Sequence, residues 1–86
     1  MLFVFDPWRS AILIDAHRLA ERRTSLGLTQ TEIADRMGVT TSRVSQIERG
    51  EVSTVDVIAR YVQALGGHLQ IWAVFGDDQF FLQSAD

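Results

Sequence analysis

The chain has no cysteine and no lysine, a single proline and only two histidines. Without cysteine, disulfides and thiolate metal sites are excluded, and the composition suits the reducing cytoplasm. His17 and His68 fall in different segments and cannot hold a metal ion by themselves. Long apolar runs are missing too, so no stretch approaches the length of a membrane span. The N-terminal "MLFVFDPWRS" lacks a basic leader region and its apolar run is five residues, too short for a signal peptide. Repeats and low-complexity tracts are absent. With 47% apolar and 22% charged residues, most of the chain has enough hydrophobic material to fold. A chain of 86 residues makes one small domain, and domains this small bury little of their surface, so a partner subunit is expected to complete the core.

Net charge is -3, which on average disfavours a polyanion, because phosphate binding rests on basic side chains that displace counterions. The distribution tells a different story. Residues 18–49 hold six Arg against four acids, a net of +2, whereas residues 50–86 sum to -4. Every basic residue is arginine, whose planar fork suits bidentate bonding to phosphate or guanine.

The middle of the chain carries repeated helix start and stop signals. Thr29 and Glu32 form a T-x-x-E capping box with Leu28 and Ile33 as its hydrophobic staple, which predicts a helix from Gln30 to Met37. Thr40, with Val39 and Val44, starts another near 41–49, and Ser53, with Asp56 and the Val52–Val57 staple, starts a third near 54–65. A first helix is predicted from a cap at Asp15, with Ala16, Leu19, Ala20 and Arg23 along one face. Gly27, Gly38, Gly50 and Gly66 follow the four expected helix ends, where a left-handed residue costs glycine least.

Only Gly38, Val39 and Thr40 separate the second and third helices, which forces a sharp angle and a helix-turn-helix. At about 100° per residue, Val44 and Ile47 form the buried stripe of the third helix. Ser42, Ser45, Gln46 and Arg49 then face away, flanked by Thr41 and Glu48 on one side and Arg43 on the other. Such a polar face reads either as a solvated surface or as a reading surface for a polar partner. The tight turn in front of it favours the second.

From about residue 15 to 66 the chain resembles the lambda-repressor-like, Cro-type helix-turn-helix proteins of the XRE family. The resemblance is carried by "RLAERRTSLGLTQTEIADRMGVTTSRVSQIERGEVS", with its L-G-L-T-Q, the turn Gly38 and the run Val-Ser-Gln-Ile-Glu-Arg-Gly. It implies four or five packed helices, with 41–49 as recognition helix in the major groove of double-stranded DNA. By the same resemblance Gln30 would hold a phosphate, Thr41, Ser42 and Gln46 would face bases, and Thr40, Arg43 and Ser45 would sit near the backbone or groove edge. Arg23 would pair with Glu48 as a structural clamp. The chemistry is compatible, since glutamine can pair bidentately with adenine and hydroxyls can donate or accept at several base edges.

The C-terminal "GGHLQIWAVFGDDQFFLQ" exchanges the helical period for β-branched and aromatic residues, and predicts strands at 68–75 and 79–83 around a turn at Gly76-Asp77-Asp78. Leu69, Ile71, Ala73 and Phe75 make one wholly apolar face, and Trp72 lies on the other. A lone hairpin is marginal, so these five residues are expected to cover the helices and hold a homodimer. The order helix-turn-helix followed by "ALGGHLQIWAVFGDD" is similar to antitoxins of the HigA type, which implies a dimeric repressor of its own promoter with a RelE-like toxin as partner. The N-terminal "LFVFDPWRSAILI" reads as a short hairpin about Asp6-Pro7 that resembles two strands of RelE or HigB-type toxins. Its alternatives are a hairpin joining the C-terminal sheet and a first helix that starts at Ser10.

The expected fold is thus mainly α, with an N-terminal extension over 1–14, the helix-turn-helix domain over 15–66 and a dimerising β-hairpin over 67–86. The expected function is a non-enzymatic, cofactor-free, cytoplasmic DNA-binding regulator with a palindromic operator, the autorepressor of a toxin-antitoxin operon. The rival reading is a protein-interaction module that neutralises a RelE-like toxin and binds DNA little. The acidic total favours the rival.

Overall fold

A computed structural model of the chain describes residues 15–85. The expected N-terminal hairpin and its toxin-like resemblance lie outside them. Four helices, α1 (Ala16–Ser25), α2 (Gln30–Met37), α3 (Thr41–Glu48) and α4 (Val55–Ala64), are followed by strands β1 (Leu69–Phe75) and β2 (Asp78–Ala85).

The helices begin and end as their local chemistry dictates. Thr29 Oγ1 accepts from the Glu32 amide at 3.0 Å and Glu32 Oε1 accepts from the Thr29 amide at 2.9 Å, a closed capping box. Thr40 Oγ1 accepts from the Arg43 amide at 3.1 Å. Gly38 ends α2 at φ 71°, and the turn is fixed by bonds from the Gly38 amide to Asp35 O and from the Val39 amide to Ala34 O. The same pair of bonds closes α1, α3 and α4.

Two starts differ from the sequence reading. The cap of α4 is Thr54, whose Oγ1 accepts from the Val57 amide at 3.4 Å, so Asp56 is not at a box position and Ser53 lies outside the helix. Adjacent hydroxyls have equivalent chemistry, and the path of the chain past Val52, which packs on the core, selects the second. Asp15 precedes α1 without a side-chain cap bond, because its ψ of 84° departs from the 149–162° of the three working caps and does not aim the carboxylate at the amides of the first turn. α1 begins at Ala16, directly after this residue, and the alternative helix start at Ser10 lies outside the described residues.

Ile33, Ala34 and Met37 of α2, Val44 and Ile47 of α3, and Ile58 and Tyr61 of α4 form the buried core. Leu28 and Val39 pack beside it, at the staple positions of α2 and α3. The hairpin pairs Leu69 with Ala85 at its base and Phe75 with Asp78 at its tip, around a two-residue turn in which Gly76 has φ 57°. Both strands therefore differ from the expected bounds: β2 starts at Asp78 and continues to Ala85, and β1 starts at Leu69. Gly76 supplies the positive φ that a two-residue connection demands, which draws Asp78 out of the turn and into the ladder. A bulge after Ile71 leaves Leu82 without a directly opposed residue. Val55, in the first turn of α4, shares a cleft with Leu69, Gln70, Ile71 and Trp72, so β1 turns back over that helix.

Candidate nucleic-acid interface

The third helix is fixed from behind and open in front. Val44 and Ile47 are fully buried, whereas Thr40, Thr41, Ser42 and Arg43 are exposed and Ser45 and Gln46 are half-buried. This contiguous polar surface needs no partner from the core, so its side chains remain available to a ligand. Thr41 and Ser42 occupy the first turn, where free amides also favour an anion. Arg43 makes no ion pair with any described residue. Arg49 donates to Ser45 Oγ and bonds Glu51 Oε2 at 2.6 Å, which ties the end of α3 to the next loop.

Glu48 is the anchor of this helix. Arg23 Nε donates to Oε2 at 2.6 Å and Nη2 to Oε1 at 3.1 Å, while Arg23 Nη1 reaches Leu28 O at 2.8 Å. Gln30 Nε2 donates to Oε1 at 2.9 Å and the Tyr61 hydroxyl to Oε2 at 2.5 Å. The side chains of Arg23 and Glu48 are only 14% and 7% exposed, so the pair is largely shielded from solvent. Burial by itself raises the Glu48 pKa, but the bonds from Arg23, Tyr61 and Gln30 outweigh it and hold the carboxyl below its ordinary range. Burial and the neighbouring carboxylate push the Tyr61 phenol up, so it stays a donor. One carboxylate thereby joins α1, α2 and α4 to the recognition segment.

The helix-turn-helix (HTH_3) family profile matches residues 19–72. The chain belongs to this helix-turn-helix family. The protein named antitoxin HigA3 in Mycobacterium tuberculosis is 48% identical over 76 residues, covering 85% of this chain and 68% of the relative. A solved structure of DNA-bound antitoxin HigA3 superposes with a TM-score of 0.69 at 43% identity, covering 84% of this chain and 94% of the other. Another, of a HigA antitoxin described as bending DNA through a unique dimerization, gives 0.65 at 44% identity and covers 84% and 96%.

Within the helix-turn-helix frame, the structure gathers Thr40, Thr41, Ser42, Arg43, Ser45 and Gln46 on α3 and its cap, with Gln30 at the start of α2. Gln30 carries a duty that the sequence did not reveal: its amide is oriented by Glu48. Tyr61 was missed altogether. A signal existed, since it is the chain's one tyrosine and follows Ile58 at helical spacing on an apolar stripe, and a buried phenol needs a partner.

The hairpin residues separate into two groups. Leu69, Ile71 and Ala73 are half-buried, with Leu69 packed on the helical core, whereas Trp72, Val74, Phe75, Phe80, Phe81 and Leu82 are 49–65% exposed. Phe75 thus departs from its expected face-mates, because the tip extends past the helices that cover them. Trp72 packs edge-on against Phe81 with ring centroids 5.5 Å apart, and Phe75 lies tilted against Phe80 at 5.8 Å. Among the described residues no helix is long and apolar enough to cross a membrane, and no cluster of side chains is placed to hold a metal ion.

Proposed function

We propose that this protein is a HigA-type antitoxin that binds its own operator as a homodimer and represses the operon. The observation that carries this is the exposed polar face of α3, held rigid by Val44, Ile47 and the Glu48 network. A fixed helix that presents hydroxyls, an amide and an exposed guanidinium fits the major groove. In this reading Thr41, Ser42 and Gln46 contact base edges, and Gln30, Thr40, Arg43 and Ser45 contact phosphates or the groove edge. The exposed aromatics of the hairpin supply the dimer surface, with the covered face of β1 supporting it from below. As an antitoxin its second partner is a RelE or HigB-like toxin. The rival, a toxin-binding module with little DNA affinity, draws on the net charge of -3.

A salt titration separates them. Fluorescence anisotropy on the protein's own promoter should give log affinity falling linearly with log salt, at nearly one unit per phosphate contact. Binding that is absent at every salt concentration supports the rival.

A further inference from the structure

The end of the helical body opposite the polar face of α2's first turn carries a cleft of about 420 Å³, lined by Arg36, Met37, Arg60, Gln63, Ala64 and Gly66. Its two arginines are held by helix-end carbonyls: Arg36 Nη1 donates to Ala64 O at 2.8 Å and Arg60 Nη2 to Met37 O at 2.7 Å. Each tether uses part of the guanidinium fork and leaves the remaining N–H groups free. Neither arginine forms an ion pair with any described residue. Two positioned guanidinium groups in one cleft are built for carboxylates.

The chain itself carries the complement. Asp77 and Asp78, at the tip of the hairpin, are exposed and form no ion pair with any described residue. They cannot reach the cleft of their own molecule by any short path, because the cleft adjoins Gly66 at the base of the hairpin and β1 has seven residues, about 24 Å of extended chain. A second copy brings them there. When identical edge strands pair about a two-fold axis they run antiparallel, so the tip of one hairpin lies beside the base of the other. An axis through Trp72, the middle residue of β1, sets Phe75 of one copy opposite Leu69 of its partner, so the Gly76-Asp77 turn and Asp78, the ladder partner of Phe75, lie at the base of the partner's hairpin. Pairing through β2 instead sets Asp78 opposite Ala85, whose ladder partner is Leu69 at the same base. Either edge brings the aspartates to the base of the partner's hairpin, which Gly66 joins to the arginine cleft.

We infer that Asp77 and Asp78 at the hairpin tip of each protomer dock into the Arg36/Arg60 cleft of the other, an electrostatic latch that fixes the angle between the two helical bodies. This rests on the hairpin dimer of the proposed function. It also accounts for the charge segregation, since an acidic tail would then cover a basic body in trans.

The test is sedimentation equilibrium of the full chain and of D77N/D78N, at low and at high ionic strength, with circular dichroism to monitor folding. The paired substitution lies at the exposed hairpin tip and keeps side chains of the same size and shape there. At low salt its dimer constant should be about five- to tenfold weaker than the parent's, and high salt should erase the difference. D77R/D78R should weaken it further under the same conditions. A D77N/D78N dimer with the parent's constant and salt dependence overturns the latch and leaves the cleft to an acidic segment of another protein. A deficit that persists at high salt overturns it as well, being a turn defect. If the parent chain stays monomeric throughout, the hairpin dimer itself fails and the latch falls with it.

Discussion

Glu48 shows how much one side chain can decide. Four donor groups converge on its two oxygens, from Arg23, Gln30 and Tyr61, so a charge that burial disfavours becomes a junction of four helices. Removing one member of a buried pair leaves the other uncompensated, which costs about 3–5 kcal/mol. Glu48→Ala should therefore lower the unfolding free energy by that amount in urea titrations, and an unchanged midpoint would move the pair to the surface. The acid response has a definite sign. The folded pKa of Glu48 is lowered, so its stabilisation is present above the unfolded glutamate value of about 4.3 and is lost as pH falls through the folded value. A Glu48→Gln variant should show a flatter decline of melting temperature over that acid window than the parent.

At the scale of elements, α3 combines two incompatible demands on one short helix. Its rear needs apolar side chains at helical spacing, and its front must remain polar and unoccupied; Val44 and Ile47 meet the first and Ser42, Arg43 and Gln46 the second. The two kinds of front residue should separate in binding assays. Gln46→Ala should weaken the cognate operator by about 1–3 kcal/mol and relax preference at one base pair, with little change on random DNA. Arg43→Ala should weaken every sequence and shallow the salt slope by about one unit. Much of this element was legible from Thr40, Gly38 and the Val44/Ile47 spacing, because capping and periodicity are local physics. The start of α4 was not, since Ser53 and Thr54 offer the same hydroxyl and only the route of the chain over the core selects Thr54.

For the molecule as a whole, the hairpin is the part that the helices alone leave unexplained. Its inner residues pack on the chain's own helical body, while Trp72, Val74, Phe80, Phe81 and Leu82 remain open to solvent. A surface of that kind calls for cover. Deleting residues 68–86 should leave helical circular dichroism largely in place and yield a monomer by sedimentation, with operator binding reduced to half-site affinity. In the full-length dimer the two α3 helices should read half-sites about one turn of DNA, roughly 34 Å, or a multiple apart, which footprinting would register. A truncated chain that still dimerises would place the contact on the helices.

The sequence by itself determined where α2 and α3 begin, the glycine that follows each helix, which face of α3 is buried and that the tail is a hairpin, because caps, left-handed glycines and residue period act over a few neighbours. Arg23 and Glu48 were paired only through resemblance, as nothing local links residues 25 positions apart. Tertiary structure alone brought Tyr61 and Gln30 to the same carboxylate, attached Arg36 and Arg60 to the ends of opposing helices, and left Phe75 outside while its face-mates Leu69, Ile71 and Ala73 are covered. Each of these depends on the relative placement of two elements, which packing of the whole core fixes and no stretch of sequence encodes.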